Sequence, residues 1–303
     1  MQPYKQFNRV IHVEVGLSNS ANALGVSDLR IHFEVKKTRA VMKNTAKIEI
    51  YNLAEKSRNF LENYKGMKVI LKAGYKDQIA KNPNSDLLYI GDILRVYHQK
   101  KPPNIITTIE AMTGQKQLLT KMSISYSPKT MFLSILKHGI NQVGAVLHES
   151  SNLSTATQSY SNGFSFNGTF KDFLDKINDF AKTEWSCQNE KIKVIPKRGS
   201  DLADFISVSP ETGMLDSPVK MASVDPMIPT MGQVIGNIDI LPGWRIRSLL
   251  LPMVEPGNKL TVSSFSIPPG KIFSTTVVEH RGDNYANDWD TTIECYEYKG
   301  REQ

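Results

Sequence analysis

A regular alternation of apolar and polar residues is the feature that most limits what this chain can fold into. From Leu29 to Val35, apolar residues occupy every second position and polar residues lie between them. This period of two is typical of a β-strand with one buried face. Similar β-forming runs, separated by turn residues, follow in the first 115 residues at Val10–Val15, Ala46–Tyr51, Val69–Tyr75, Leu87–Ile93 and Ile105–Glu110. Six such strands predict a barrel or sandwich, with one short helix from Leu53 to Tyr64.

The middle of the chain changes to a helical period. Apolar residues recur at helical spacing from Met131 to Val143. Ser127 and Pro128 are the predicted N-cap and first residue of this helix, and Gly144 is placed to end it.

A second and clearer helix is predicted from Thr169 to about Glu184. Thr169 is its predicted N-cap, and Asp172 lies favourably near the positive helix end. The expected buried stripe consists of Phe170, Phe173, Leu174, Ile177, Phe180 and Ala181. Trp185 and Ile192–Pro196 predict a hairpin packed on this helix. Residues 116–204 are therefore expected to form a small α/β insert domain.

The last hundred residues return to strands and turns. Proline and glycine divide the strand candidates Trp244–Leu250, Lys259–Val262, Phe273–His280 and Thr291–Tyr296. The chain is thus predicted to be mainly β, with an N-terminal β domain (1–115), the α/β insert (116–204) and a C-terminal β domain (205–303). We expect the two β regions to contact each other laterally.

The charge pattern argues against sequence-specific nucleic-acid binding. The net charge is +7, from 37 basic and 30 acidic residues, but the basic residues are spread through every segment. The densest runs, Lys36–Arg39 and Gln99–Lys101, are short, and no nucleic-acid-binding motif accompanies them. No apolar run approaches the ~20 residues of a membrane span. The N-terminus lacks an apolar signal region, so synthesis in the cytoplasm and no membrane anchoring are expected.

No constellation of reactive residues suggests catalysis. The two cysteines, Cys187 and Cys295, form no zinc-type pair and are expected to be reduced. None of the six histidines (His12, His32, His98, His138, His148 and His280) belongs to a metal-binding motif. Nucleophile-elbow and phosphate-loop motifs are absent from the sequence. Carboxylates such as Asp201 and Asp204 cannot be assigned a role from spacing alone. The sequence predicts no catalytic, cofactor-binding or metal-binding residue.

The segment from His280 to Asp290 is open to two interpretations. Asp283, Asn284, Asn287, Asp288 and Asp290 offer several oxygen ligands of the kind that Ca²⁺ prefers. The spacing differs from an EF-hand loop, however, and the glycine precedes the first acid. A turn between two strands, in which Asp and Asn side chains cap their own backbone, is the favoured interpretation.

Motifs at both ends of the chain resemble phage baseplate hub proteins. Lys37–Leu53, Val69–Tyr75 and Tyr89–Ile93 carry an Asn-Xaa-Ala turn, a Tyr-Asn-Leu, a Leu-Xaa-Ala-Gly-Tyr and a Gly-Asp. These positions are Asn44, Ala46, Tyr51, Asn52, Leu53, Ala73, Gly74, Tyr75, Gly91 and Asp92. In the C-terminal half the resemblance rests on Val208–Pro218, Trp244–Pro252, Pro256–Gly257 and His280–Trp289 with Thr291. Asp216 departs from the small residue expected there.

The resemblance implies an architecture and partners. Hub proteins of this kind carry two tail-tube-like β-barrels per subunit and form a homotrimeric ring. The ring adapts the sixfold tail tube to the threefold central spike, contacts baseplate wedge proteins, and leaves a lumen through which DNA passes without sequence-specific binding. A tail-tip protein of a non-contractile tail, the hub of a phage-like secretion device and a tail-associated cell-wall hydrolase remain alternatives.

Overall fold

A large antiparallel sheet dominates the protein. The computed structural model describes residues 8–17, 22–39, 44–81, 86–222 and 242–298. Thirteen strands form the main sheet, in the order β16-β17-β20-β19-β3-β4-β7-β6-β5-β1-β2, with β18 and β15 branching from β19. The strands are β1 Arg9–Gly16, β2 Ala23–Val26, β3 Ile31–Thr38, β4 Thr45–Tyr51, β5 Lys68–Tyr75, β6 Leu87–Lys101, β7 Asn104–Met112, β15 Ile206–Val208, β16 Val219–Met221, β17 Gly243–Leu249, β18 Lys259–Val262, β19 Ile272–Asp283 and β20 Trp289–Glu297.

The predicted period of two is confirmed along these strands. In β3, Ile31, Phe33 and Val35 are buried, whereas Glu34 and Lys36 are exposed. Because side chains alternate across a strand, one face of the sheet covers an apolar core and the other is polar. The short helix predicted after β4 is α1, Glu55–Glu62, and it buries Leu61. A second short helix, α2 (Lys76–Lys81), follows β5.

The N-terminal and C-terminal β regions meet through the pair β3–β19. Seven residues of each strand are in register, from Val277 opposite Thr38 to Asp283 opposite His32. The register of β19 with β20 shifts between Thr275 and Val277, which marks a bulge. Before this bulge β19 pairs with β18, and after it with β3. The expected lateral contact is therefore confirmed. The two-barrel form stays a prediction.

The α/β insert has its own small sheets and helices. Its strands are β8 Lys121–Tyr126, β9 Thr130–Met131, β10 Val146–Leu147, β11 Ser159–Tyr160, β12 Phe164–Thr169, β13 Thr183–Gln188 and β14 Lys191–Pro196, and its helices are α3 Gln115–Leu118, α4 Phe132–Gln142 and α5 Phe170–Ala181. The predicted hairpin is confirmed as the antiparallel pair β13–β14. Thr169 caps α5 as predicted, because its Oγ1 accepts a hydrogen bond from the Asp172 N–H at 3.2 Å.

Two helix limits in the insert differ from the prediction. Helix α4 begins at Phe132, and not at Pro128, because Lys129 takes a left-handed φ of 68° and Thr130–Met131 pair with β11. Helix α5 ends at Ala181, and not near Glu184, because Lys182 is left-handed with a φ of 54°. Phe180 does not belong to the buried stripe: it is 42% exposed and stacks on Tyr160.

Three groups of buried apolar side chains fill the described structure. One lies under the N-terminal strands, one runs from Leu118 to Val194 in the insert, and one runs from Val208 to Cys295. Leu250 and Trp289, from the C-terminal region, complete the N-terminal group. The predicted domain limits at 115/116 and 204/205 remain predictions. None of the helices in the described ranges is long and apolar enough to cross a membrane.

Candidate assembly surface

The outward face of the main sheet is polar, and most of its charges are paired. Lys36 on β3 contacts Glu279 on β19 at 2.7 Å. Similar pairs join Lys47 to Glu49 at 2.8 Å, Arg95 to Glu110 at 2.8 Å and Arg245 to Glu294 at 2.7 Å. Opposite charges on neighbouring strands are the common stabilising pairs of a sheet surface. We call this polar side the "paired face".

The paired face contains a groove where β3, β4, β6, β7 and β19 come together. Its volume is about 370 Å³, and its lining includes Glu34, Lys36, Lys47, Leu94, Glu110, Glu279 and Arg281. Hydrogen bonds donated by Arg95 lower the pKa of Glu110, so this carboxylate stays charged. The balance of signs leaves few free cations to attract a polyanion.

A second site lies beneath the sheet, where all three regions meet. We call Lys37, His148, Lys193, Asp201 and Glu255 the "ionic junction". The Lys193 Nζ lies 3.1 Å from Asp201 Oδ2 and 2.9 Å from Glu255 Oε2. The Lys37 Nζ lies 3.6 Å from Glu255 Oε1, and the His148 Nε2 lies 3.4 Å from Glu255 Oε2. Glu255 is therefore shared by cationic groups from β3 and from the insert.

The charges of the ionic junction are fixed by their mutual contacts. Burial alone would raise the pKa of Glu255, but the Lys193 and Lys37 ammonium groups hold it well below its usual range. Burial alone would lower the pKa of Lys193, whereas Glu255 and Asp201 raise it. Lys37 differs, because burial lowers its pKa more than Glu255 raises it. Within the described residues its Nζ has no hydrogen-bond partner.

The tip of the β13–β14 hairpin docks between the two β regions through polar contacts. The Gln188 Nε2 donates to the Thr38 carbonyl at 3.0 Å. The Lys68 Nζ pairs with Glu190 at 2.5 Å. Asn189 Nδ2 donates to Glu255 Oε1 at 3.0 Å, which ties the tip to the ionic junction. Polar interfaces of this kind are typical of parts of a chain that can move relative to each other.

Several residues of the family motifs have structural tasks near this tip. Asn44 Oδ1 accepts a hydrogen bond from Thr38 N–H at 2.8 Å, while its Nδ2 donates to Gln188 Oε1 at 2.7 Å. Gly91 has no room for a side chain, since a Cβ there would lie 2.9 Å from the Met112 backbone. These motif positions therefore hold strands and hairpin together.

The segment from His280 to Asp290 forms a turn between β19 and β20, as favoured from the sequence. Asp283 Oδ1 accepts hydrogen bonds from the Tyr285 and Ala286 N–H groups at 2.8 and 3.0 Å, and its Oδ2 pairs with Arg30 at 2.8 Å. Asn284 bonds to the backbone of the segment that leads into β3. Its oxygens thus bind the protein itself. The described ranges contain no group of three metal-type ligands.

The other residues weighed for chemistry lie apart. Asp201 is buried in the ionic junction, whereas Asp204 is exposed. His280 is fully buried, and burial together with Lys37 lowers its pKa well below the usual range. Burial raises the pKa of Cys187 to about 12, and it also raises that of Cys295. Both thiols are therefore protonated and poor nucleophiles.

The sequence analysis missed the ionic junction, although two signals were present. Lys37 continues the buried phase of β3 after Ile31, Phe33 and Val35. Lys193 lies between the buried residues Ile192 and Val194. A lysine on a buried face requires a carboxylate partner. The partners Asp201 and Glu255 are distant in sequence or lie in loops, so the pairing could not be deduced.

Known structures with this fold define the class of protein. A tail protein from Neisseria meningitidis MC58 superposes with a TM-score of 0.61 at 10% identity, covering 96% of this chain and 97% of that one. The 43 kDa tail protein of prophage MuSo2 from Shewanella oneidensis gives 0.63 at 8% identity, covering 95% and 98%. The Escherichia coli c3393 protein, a type VI secretion component described as similar to T4 tail proteins gp27 and gp5, gives 0.57 at 9%, covering 95% and 77%. The fold is thus that of phage tail proteins.

The sequence identifies the family within this class. Residues 10–184 match the model of the family described as Baseplate hub gp41. The chain belongs to this baseplate hub family, a structural component of phage tails. The resemblance deduced from the sequence motifs is confirmed. No curated protein sequence matches the chain.

Proposed function

We propose that the chain is the hub subunit of a phage tail baseplate and assembles as a homotrimeric ring. The observation that carries this proposal is the single sheet that runs through both β regions by way of the pair β3–β19. If each β region corresponds to one tube-like barrel, three chains present six similar units around one axis. Such a ring can join a sixfold tail tube to a threefold central spike, with wedge proteins around it.

The paired face is the proposed wall of the lumen. DNA is attracted by unpaired Lys and Arg residues, which release its condensed counterions. On this face Lys36, Arg95 and Arg245 each lie against a glutamate at 2.7–2.8 Å. A wall of this composition lets DNA pass without holding it. The site of action is the virion tail, after assembly in the host cytoplasm.

The assembly is tested by mass and by image. We expect light scattering to give the mass of three chains, and electron microscopy of the purified protein to give rings with a central opening and threefold symmetry. A stable monomer at micromolar concentration that does not change when tail tube or spike protein is added contradicts the proposal.

The lumen assignment has its own test. Glu279→Gln, Glu110→Gln and Glu294→Gln together free the cations that these carboxylates neutralise. We expect the triple variant to bind double-stranded DNA more tightly than the wild type, with a salt dependence steeper by roughly 0.9 per freed cation. Glu149→Gln, which frees Lys191 in the insert at 3.0 Å, is the control and should have a smaller effect. Equal affinity of wild type and triple variant argues against this role.

Two structural alternatives and one enzymatic alternative remain distinguishable. The likeness to a type VI secretion component favours, as the second candidate, the hub of a phage-like secretion device. A tail-tip protein of a non-contractile tail is the third. Microscopy of whole particles labelled on this chain separates them, because the tail type is visible. We propose no enzymatic role, and cell-wall turnover lost on changing one acidic residue would establish the hydrolase instead.

A further inference from the structure

The ionic junction holds more cations than its carboxylates serve. Lys193 pairs with both Asp201 and Glu255, whereas Lys37 is fully buried without a hydrogen bond. An ammonium group buried in this state is costly to a folded protein. Its nearest carboxylate is Glu255, at 3.6 Å, so a shift of less than 1 Å would bring the two into hydrogen-bond range.

The partners of Glu255 come from parts of the chain that are joined by polar contacts. His148, Asn189 and Lys193 approach it from the insert, and Lys37 approaches it from β3. The insert has an apolar core of its own, from Leu118 to Val194. If the insert swings away, Glu255 loses its three insert partners at once. A buried carboxylate without a cation would then oppose the movement.

We propose that Lys37 is a reserve partner for Glu255, which takes over this carboxylate when the β13–β14 hairpin undocks from the β regions. In the docked state Lys193 serves both carboxylates and Lys37 waits beside them. In the undocked state Lys193 keeps Asp201, and Lys37 pairs with Glu255. Each carboxylate then has one cation in the undocked state, which lowers the free energy of opening. The hairpin and the insert thereby become a movable part on a rigid sheet.

The test is hydrogen exchange of the full-length protein, with Lys37→Met compared with the wild type. The readout is the exchange rate of amides in β13, β14 and their turn, relative to amides of β4 and β7. We expect Lys37→Met to slow the relative exchange of the hairpin about tenfold or more, because opening then leaves Glu255 without a cation. The β4 and β7 amides correct for any change in global stability.

Matched variants keep the inference falsifiable. Lys36→Met removes the neighbouring lysine, which lies on the opposite face of β3 and contacts Glu279 at 2.7 Å, and should leave hairpin exchange unchanged. Lys37→Arg keeps a cation and should retain opening close to that of the wild type. Hairpin exchange that is unchanged or faster in Lys37→Met overturns the proposal. Failure of Lys37→Met to fold, while Lys36→Met folds, also overturns it, because the lysine would then be required in the docked state.

Discussion

Replacing Lys193 by methionine should destabilise the protein strongly, because this ammonium group neutralises two buried carboxylates. Its side chain is 1% exposed, and that of Asp201 is 0% exposed. Removing one partner of a buried ion pair costs about 3–5 kcal/mol. Asp201 keeps a hydrogen bond from Asn258 at 2.7 Å and Glu255 keeps one from Asn189 at 3.0 Å, so we expect about 3 kcal/mol, the lower end of this range.

Urea unfolding followed by circular dichroism measures this loss directly. About 3 kcal/mol corresponds to a fall in Tm of roughly 6 °C for a chain of this size. Lys191→Met is the matched control, since its pair with Glu149 at 3.0 Å is largely exposed. The control should lose less than about 0.5 kcal/mol. If Lys193→Met lies within about 0.5 kcal/mol of the wild type, the buried pairs contribute little and the reasoning fails.

The same variant should change the acid sensitivity of the protein. The pKa of Glu255 is well below the ordinary value of 4.5 in the folded protein. A depressed carboxylate pKa stabilises the fold above the unfolded pKa, and this contribution is lost as the pH falls through the folded pKa. Lys193→Met removes the largest favourable partner. We expect its unfolding free energy to fall less steeply below pH 4.5 than that of the wild type.

Three further outcomes are expected. His280 has a folded pKa well below 6.5, so the unfolded state takes up its proton first; unfolding free energy should therefore fall as the pH drops below 6.5, more steeply than in His280→Gln by up to about 1.4 kcal/mol per pH unit. Thr169→Ala removes the α5 cap and should cost about 1 kcal/mol in urea unfolding, whereas Thr169→Ser should retain most of it. Phe173→Asp buries a charge where the side chain is 0% exposed and should unfold the insert, while hydrogen exchange in β4 and β7 stays slow; global loss of protection would show that the insert is needed by the rest of the fold.

The strands could be predicted because their signal is local. The alternation in β3 and the apolar stripe of α5 each follow from one short segment that must bury one face. The cap at Thr169 is likewise a local arrangement, since its hydrogen bond to Asp172 spans three residues. Elements of this kind need no knowledge of distant partners.

The errors arose where distant parts of the chain decide. Helix α4 starts late because Lys129 bonds to the Tyr160 carbonyl at 2.7 Å, a contact that spans the loop of the insert. Phe180 is exposed because α5 turns that position outward, where it stacks on Tyr160. The ionic junction joins β3, β14 and two loops, and no local pattern pairs these segments. Only the lysines in buried phase indicated that partners must exist.

The way the three regions are joined differs in kind between the sheet and the insert. At the seam between the β regions, seven residue pairs in register and the apolar contact of Trp289 with the N-terminal core fix one geometry. Gly282 allows the close approach, since a Cβ there would lie 2.4 Å from the Phe33 ring. The hairpin tip of the insert, by contrast, is held by ion pairs and side-chain hydrogen bonds that can be exchanged one for another. A hub that connects partners of unequal symmetry needs a fixed ring and an adjustable contact, and this division of contacts provides both.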